Sequence, residues 1–117
     1  MRYLALIYGP EADPGTFTPE AFEAMMVEYD AFGKSAEAAG VLRGGEPLQP
    51  AAMATTIRIR DGQRTTTDGP FAETHEVLGG YYVLECPDLD EAIHWASQIP
   101  GARLGSVEVR PIMEATR

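Results

Sequence analysis

A stretch of nine residues contains the side chains best suited to chemistry. It runs from Asp68 to Glu76 and reads Asp-Gly-Pro-Phe-Ala-Glu-Thr-His-Glu. Its carboxylates could take up a proton, and its imidazole, at His75, titrates nearest to neutral pH. We therefore predict His75 and Asp68 as candidate catalytic residues. A general base must also lie within hydrogen-bonding distance of the proton that it removes, which spacing alone does not give.

The same stretch predicts a rigid turn beside a binding site. An Asp-Gly pair opens it, and Pro70 fixes its own φ and disfavours the α region for Gly69. The ring of Phe71 is expected to point into the protein and pin the turn there. Glu73 and Glu76 would share a face if the segment formed a helical turn. We count Phe71, Glu73 and Glu76 among the candidate ligand-binding residues.

Two other interpretations of this stretch stay open. Asp68 could only cap the turn, with Glu73, His75 and Glu76 facing water. A metal site made by the last three is weakly indicated, because adjacent side chains point in different directions and no second histidine follows at helical spacing. We therefore predict neither a metal nor a cofactor.

Length and charge limit the classes of function. The 117 residues predict one domain, 1–117, and the net charge is −9 with Lys34 as the only lysine. Such a chain lacks the basic patch that would bind nucleic acid or an anionic membrane. The apolar run from Tyr3 to Tyr8 is too short to span a membrane. Since Cys86 is the only cysteine, no intrachain disulfide can form, and we expect a cytoplasmic protein.

Hydrophobic periodicity predicts the order strand, helix, hairpin, strand, helix, strand. The expected strands are 2–8, 55–60 paired with 63–67, 80–86 and 106–113, with a short strand also indicated near Arg43. The expected helices are 18–39, which is capped by Thr18, and a second helix that opens at Asp88 and ends before Pro100.

The two helices carry apolar stripes. In the first, Phe17 and Phe22 occupy the positions of a hydrophobic staple, and Asp30, at the border of the stripe, is a minor site candidate. The stripe of this helix is formed by Phe22, Met25, Met26, Tyr29, Phe32 and Ala36. That of the second is formed by Leu89, Ala92, Ile93, Ala96 and Ile99, with His94 on the opposite, exposed side.

Two predicted strands, Tyr3–Tyr8 and Tyr81–Cys86, are apolar on both faces. Two helices can cover only one face of an antiparallel sheet, so the other face needs a cover that the chain does not supply. We therefore expect an α+β fold with two helices on one face of the sheet, and a homodimer with two sheets packed face to face.

A polar cleft is expected beside or between the paired sheets. Arg58 and Arg110 would contribute to it, together with Tyr81 from the aromatic strand, and arginines favour an anionic ligand such as a carboxylate. The alternative is that Arg110 only pairs with Glu108, a cross-strand pair worth about 0.2–1 kcal/mol.

The central stretch also resembles the signature of a known family. Asp-Gly-Pro-Phe-Ala-Glu-Thr-x-Glu-x-x-Gly-Gly, from Asp68 to Gly80, is similar to the motif of the YCII-related, or DGPF-domain, family. Support comes from 48–50, from 88–96 and from 105–111, so the resemblance covers roughly residues 1–112. His75 departs from the lysine usual in the family, so a permanent charge is replaced by one that titrates.

The resemblance implies a ferredoxin-like fold that pairs into a dimeric α+β barrel, in small bacterial proteins without a settled activity. Some relatives are encoded beside, or fused to, extracytoplasmic-function sigma factors. Enzymes with a His-Asp pair, one of them dehydrochlorinase-like, have been proposed in the broader family. Here no histidine precedes the main helix, so His75 with Asp68 or Asp30 would be a substitute for that pair.

These observations support three hypotheses about function. The first is a dimer that binds a small molecule near the Asp68 turn, for example as a sensor, with an anion as one candidate ligand. The second is a cofactor-independent lyase or isomerase that uses His75 and Asp68. The third is a protein that docks a sigma factor or another chain, and it predicts an exposed apolar patch beyond the dimer interface.

Overall fold

The computed structural model describes residues 1–11 and 18–114 and has the α+β architecture that the sequence predicts. The elements, in chain order, are β1 (Arg2–Pro10), α1 (Pro19–Ala38), β2 (Leu42–Pro47), a 3₁₀ turn (Ala51–Met53), β3 (Thr55–Arg60), β4 (Gln63–Asp68), β5 (Glu76–Glu85), α2 (Leu89–Ala96), α3 (Gly101–Leu104) and β6 (Ser106–Pro111).

Four strands form an antiparallel sheet in the order β2-β5-β1-β6, and β3 and β4 form a separate two-stranded sheet. Without the β3–β4 hairpin, the chain is a βαββαβ unit with the two middle strands β1 and β5 side by side, as in a ferredoxin-like arrangement. A bulge at Gly79, between the Ile7–Gly80 and Tyr8–Leu78 pairs, shifts the register near one end of the sheet.

The predicted start signals operate as expected. Thr18 caps α1, because its hydroxyl accepts a hydrogen bond of 3.1 Å from the Ala21 amide. The carboxylate of Asp88 caps α2 by accepting from the Glu91 amide at 2.9 Å. The predicted staple cannot be followed, because Phe17 lies outside the described residues.

One correction concerns the number of helices. The second predicted helix ends at Ala96 rather than continuing to Ile99, and a short helix, α3, follows it. The chain tightens there because the Gln98 and Ile99 amides bond to carbonyls only three residues back, at 3.0 and 3.1 Å. The sheet is therefore accompanied by three helices, not two.

The hydrophobic core lies on one face of the sheet. Tyr3 and Ala5 of β1 and Leu84 of β5 are buried there against side chains of both long helices, chiefly Phe32 and Trp95. The predicted stripes are only partly buried: Phe22, Met26, Leu89 and Ile93 are exposed, whereas Trp95, outside the predicted stripe, is buried. The described helices therefore cover one face of the sheet and leave the opposite face without a helix.

We call that opposite face the open face. Leu4, Leu6 and Tyr8 alternate along β1 with the core residues, so they point to it. Their partners across the sheet lie on it as well: Leu78, Tyr81 and Val83 of β5, and Ser106, Glu108 and Arg110 of β6. The six apolar side chains of the open face are half-buried or exposed, none buried.

The β3–β4 hairpin, residues 55–68, forms an arm. Its turn is as predicted, since Asp61 and Gly62 both have positive φ, 52° and 76°, as in a type I′ turn. Ile57 and Ile59, on one side of the arm, are 61% and 62% exposed. The arm therefore carries an apolar side that the rest of the described chain leaves in contact with water.

Candidate functional site

A cavity of about 610 Å³ lies beside the turn that the sequence singled out. Tyr8, Val77 and Leu78, at one end of the sheet, form its floor. One wall comes from residues 48–51 and 53–54, and the other from residues 70–72. Thr56, at the root of the arm, and Thr74 complete the lining.

Short hydrogen bonds hold the two walls in place. The Gly69 amide donates to the Ala54 carbonyl at 2.6 Å, and the Thr56 hydroxyl donates to the Gly69 carbonyl at 2.8 Å. Gly69 has a φ of +97°, a conformation that glycine adopts without a steric penalty. On the other wall, the Leu48 amide donates to the Gly79 carbonyl at 2.9 Å. The turn and the 48–54 segment are thus fixed relative to the sheet.

The lining is apolar and uncharged. Side chains such as Leu48, Met53, Phe71 and Leu78 form most of it, and among the described residues the lining contains no Asp, Glu, Lys, Arg or His. Polar side-chain groups come from Tyr8, Gln49, Thr56 and Thr74. An arrangement of this kind binds a small organic molecule by apolar contact and orients it with few hydrogen bonds.

The sequence prediction for Phe71 is wrong in one respect. Its ring does not pin the turn into the protein but lines the cavity with 78% of its surface exposed. The physical reason is that the residues on either side of the turn are also exposed, so no element of the described chain folds over the ring. Phe71 is nevertheless the predicted ligand-binding residue that does line the cavity.

Glu76 lies next to the cavity, on the open face. It begins β5 and does not belong to a helical turn, so it shares no helical face with Glu73, which is exposed in the preceding bend. The Ser106 hydroxyl donates to the Glu76 carboxylate at 2.9 Å, and the Thr74 hydroxyl donates to its backbone carbonyl. Glu76 therefore precedes Leu78, a residue of the cavity floor, by two positions in β5, and its carboxylate lies beside the floor and not in the lining.

The predicted arginines and Tyr81 lie apart from the cavity lining. Arg110 forms an ion pair of 2.7 Å with Glu108 on the open face. Both residues belong to β6, so they pair within one strand and not across two strands, as the alternative expected. Arg58 is exposed on the arm, where it is paired with Thr65 across the hairpin. Tyr81 is half-buried on the open face. None of the three is among the residues that line the cavity.

Within the described residues, no hydrogen bond or ion pair joins the two predicted catalytic residues. Both His75 and Asp68 are exposed, and within the described part of the chain neither side chain forms a hydrogen bond or an ion pair. Asp30 is paired instead with Lys34 on α1, at 3.1 Å. A catalytic role for His75 and Asp68 stays a prediction.

Three ionisable groups that lie in the core or pack against it have raised pKa values. Burial raises the pKa of Tyr82 and of Tyr29, and burial also raises the pKa of the Cys86 thiol. Since the thiolate is the nucleophile, a buried thiol with a raised pKa is inert. Among residues 1–11 and 18–114, no three His, Cys, Asp or Glu side chains are placed to hold a metal ion. No described helix is long and apolar enough to cross a membrane.

Sequence reasoning missed most of the cavity. Tyr8, Gln49, Met53 and Leu78 were not among the predicted site residues, although they line it. The available signal was the irregular, apolar stretch between β2 and β3, which includes Leu48-Gln49-Pro50 and carries large side chains that no periodic pattern buries.

The chain was compared with protein families, with other sequences and with solved structures. The family model of the YCII-related domain matches residues 1–116. An uncharacterised protein of Rhizobium meliloti (strain 1021) is 37% identical over 114 residues, covering 96% of this chain and 92% of its own. The solved structure of 5-chloro-2-hydroxyhydroquinone dehydrochlorinase from Burkholderia phenoliruptrix AC1100, in complex with 2,5-dihydroxybenzoquinone, is similar with a TM-score of 0.52 and 14% identity, over 98% of this chain and 96% of that one.

Proposed function

The chain belongs to the YCII-related domain family, and we propose that it is a homodimer that binds a small organic molecule in the cavity beside the Asp68–Thr74 turn. The cavity itself carries the proposal. Its volume of about 610 Å³ falls within the range of roughly 300–1,000 Å³ that is usual for ligand pockets. Its walls are fixed by hydrogen bonds, so the site is formed before a ligand arrives.

The similar fold of the Burkholderia enzyme supports small-molecule binding only in general terms. That protein is described as a dehydrochlorinase of a chlorinated hydroxyhydroquinone, and its structure contains a dihydroxybenzoquinone. At 14% identity the likeness concerns the fold. It indicates that this arrangement of strands and helices can accommodate a small ligand, without identifying the ligand of this chain.

The open face supports the dimer. The described fold is 18 Å thin along its shortest axis, which corresponds to one sheet and one layer of helices. Leu4, Leu6 and Val83 thus lie on a surface that the described part of the chain leaves only partly covered. A second copy would cover it with the same apolar surface, as a two-fold axis requires. The exposed isoleucines of the arm add to the apolar surface available to a partner, since a lone two-stranded hairpin is only marginally stable in water.

Catalysis is a second candidate, and one observation favours it. The Glu76 carboxylate is held by Ser106 next to the cavity floor, where it could accept a proton from a bound molecule. This assigns the cofactor-independent lyase or isomerase chemistry to Glu76, with His75 and Asp68 as the earlier candidates. Docking of a sigma factor or another chain remains a proposal, and it requires an exposed apolar patch outside the dimer interface.

Binding can be tested with Nile red, a neutral dye whose fluorescence rises in apolar sites. The dye should bind saturably to the wild type. Ala72→Trp, which places a large side chain at the cavity wall, should weaken binding at least about tenfold, because the ring occupies the space that the dye needs. The control Ala38→Trp alters an exposed position of α1 and should bind as the wild type does.

Light scattering on the same samples measures the dimer independently. A mass of twice 12.7 kDa is expected for the wild type. Saturable dye binding that both tryptophan variants retain would contradict the cavity as the binding site. A monomer that binds the dye would contradict the dimer alone.

A further inference from the structure

The ligand class can be narrowed from the polar groups that line the cavity. Two of the four are already engaged. The Thr56 hydroxyl donates to the Gly69 carbonyl, and the Thr74 hydroxyl donates to the Glu76 carbonyl. Their protons serve to hold the walls, so they are not available to a ligand.

The other two have no such partner among residues 1–11 and 18–114. Within the described residues, neither the Tyr8 hydroxyl nor the Gln49 side-chain amide forms a hydrogen bond. Tyr8 projects from the sheet in the cavity floor, and Gln49 lies in the wall that residues 48–54 form. A phenol donates and accepts, and a primary amide also does both. The cavity therefore has two adaptable hydrogen-bonding groups on an otherwise apolar surface.

Charge decides against an ionised ligand. A carboxylate entering the cavity would lose its hydration, and no cationic side chain lines the walls to compensate for that cost. Arg110, the predicted anion-binding group on the open face, is already paired with Glu108. A cation would also lose its hydration, and no anionic side chain among the described residues belongs to the lining; the Glu76 carboxylate lies outside it, beside the floor.

On the basis of the proposed function, we propose that the cavity binds an uncharged, largely apolar compound carrying a hydroxyl or carbonyl group, which Tyr8 and Gln49 recognise. The two residues are specificity determinants: apolar contact with Leu48, Phe71 and Leu78 retains any hydrophobic molecule of suitable size, and the two polar groups select those that can pair with them. A pure hydrocarbon would leave the Tyr8 hydroxyl and the Gln49 amide without hydrogen-bond partners, so it should bind less tightly.

The test compares probes of one size that displace Nile red from the protein. The probes are 2-naphthol, 2-methylnaphthalene, 2-naphthoate and 2-naphthylmethylammonium, at pH 7. One hydrogen bond corresponds to a preference of about threefold to tenfold, so 2-naphthol should bind about that much more tightly than 2-methylnaphthalene. Both charged probes should bind more weakly than 2-naphthol.

Variants assign the preference to residues. Tyr8→Phe and Gln49→Met keep the apolar volume and remove the polar group, so at least one of them should reduce the naphthol preference about twofold or more. Gln98→Met is the matched control, because this exposed glutamine bonds to His94 in the helix layer. Circular dichroism and thermal unfolding show whether each variant is folded.

The outcomes separate the two proposals. If Nile red does not bind, the proposed function fails and this inference fails with it. If the dye binds but 2-naphthol and 2-methylnaphthalene compete equally, or neither variant alters their ratio, the recognition by Tyr8 and Gln49 is wrong while the cavity stands. Tighter binding of either charged probe would overturn the ligand class.

Discussion

The closest packing near the site occurs at Gly105, and it makes a quantitative prediction. Gly105 lies between α3 and β6, where the chain passes over β1. A Cβ at this position would overlap the Tyr8 carbonyl oxygen and lie 2.8 Å from the Gly9 Cα and 2.9 Å from a Glu76 carboxylate oxygen. The first two are backbone atoms of a central strand, which cannot rotate away. Gly105→Ala therefore requires β1 and β6 to move apart.

The expected loss of stability combines two effects. Forcing an additional methyl group into a packed site costs about 1–3 kcal/mol. The same displacement separates Ser106 from Glu76, whose hydrogen bond of 2.9 Å would contribute about 0.5–1.5 kcal/mol. We expect Gly105→Ala to lower the free energy of unfolding by about 0.5–4 kcal/mol, after allowance of about 0.4–1 kcal/mol for the smaller entropy of an unfolded chain without that glycine.

Gly33→Ala is the matched control. A Cβ there meets no atom within 4 Å, and Gly33 lies inside α1, so alanine should raise the free energy of unfolding by about 0.8–1 kcal/mol. Urea unfolding followed by the fluorescence of buried Trp95, at one fixed protein concentration, measures both variants. A Gly105→Ala protein as stable as the wild type would refute the packing of β6 against β1 described above.

Three further predictions concern the core, its titration and the dimer. Ile99→Ala should cost about 2–5 kcal/mol in urea unfolding, whereas Ile93→Ala should cost much less, because Ile99 is 0% and Ile93 is 47% exposed; equal losses would contradict the placement of the core. Burial raises the pKa of Tyr82, so this tyrosine ionises in the unfolded chain before it ionises in the folded protein. The free energy of unfolding should therefore fall as the pH rises past about 10. Tyr82→Phe should make that fall smaller, and an unchanged alkaline profile would be evidence against the raised pKa. Leu6→Glu places a charge on the open face and should convert the proposed dimer into a folded monomer in light scattering, whereas a dimer that survives this change would have to use another surface.

The sequence predicted helix starts and turns well, because these depend on contacts between residues that are close together in the chain. Thr18 and Asp88 cap their helices as expected, because the capping hydrogen bond joins groups that are three residues apart. Asp61 and Gly62 form the expected turn for the same reason. The two-sided apolar pattern of β1 likewise predicted the open face, because side chains must alternate along a strand.

The prediction failed where a side chain depends on distant parts of the chain. Leu89 and Ile93 have a helical spacing that suits burial, but the actual buried side of α2 runs through Ala92 and Trp95. Both stripes fit the sequence, and only the position of α2 on the sheet selects one. Phe71 was expected inside for its size, yet its burial depends on an element folding over the turn.

The sequence predicted where the candidate site lies but not which residues line it. The Asp68 turn does border the cavity, so the motif indicated the correct region. Its charged residues were emphasised because they are chemically reactive, whereas the lining is apolar and comes from three separate segments. Tyr8 and Leu78 join that lining through the pairing of β1 with β5, across a register shift at Gly79 that the sequence does not specify.

The most direct test of the account is a titration of the ¹⁵N-labelled protein with Nile red, followed by amide chemical shifts. Binding in the cavity predicts concerted, saturable shifts at Ala51, Gly69, Ala72 and Leu78, with the amides of α2 unchanged. Shifts confined to the helix layer, or no saturable shifts while the protein remains folded, would contradict the proposal that this cavity is the binding site.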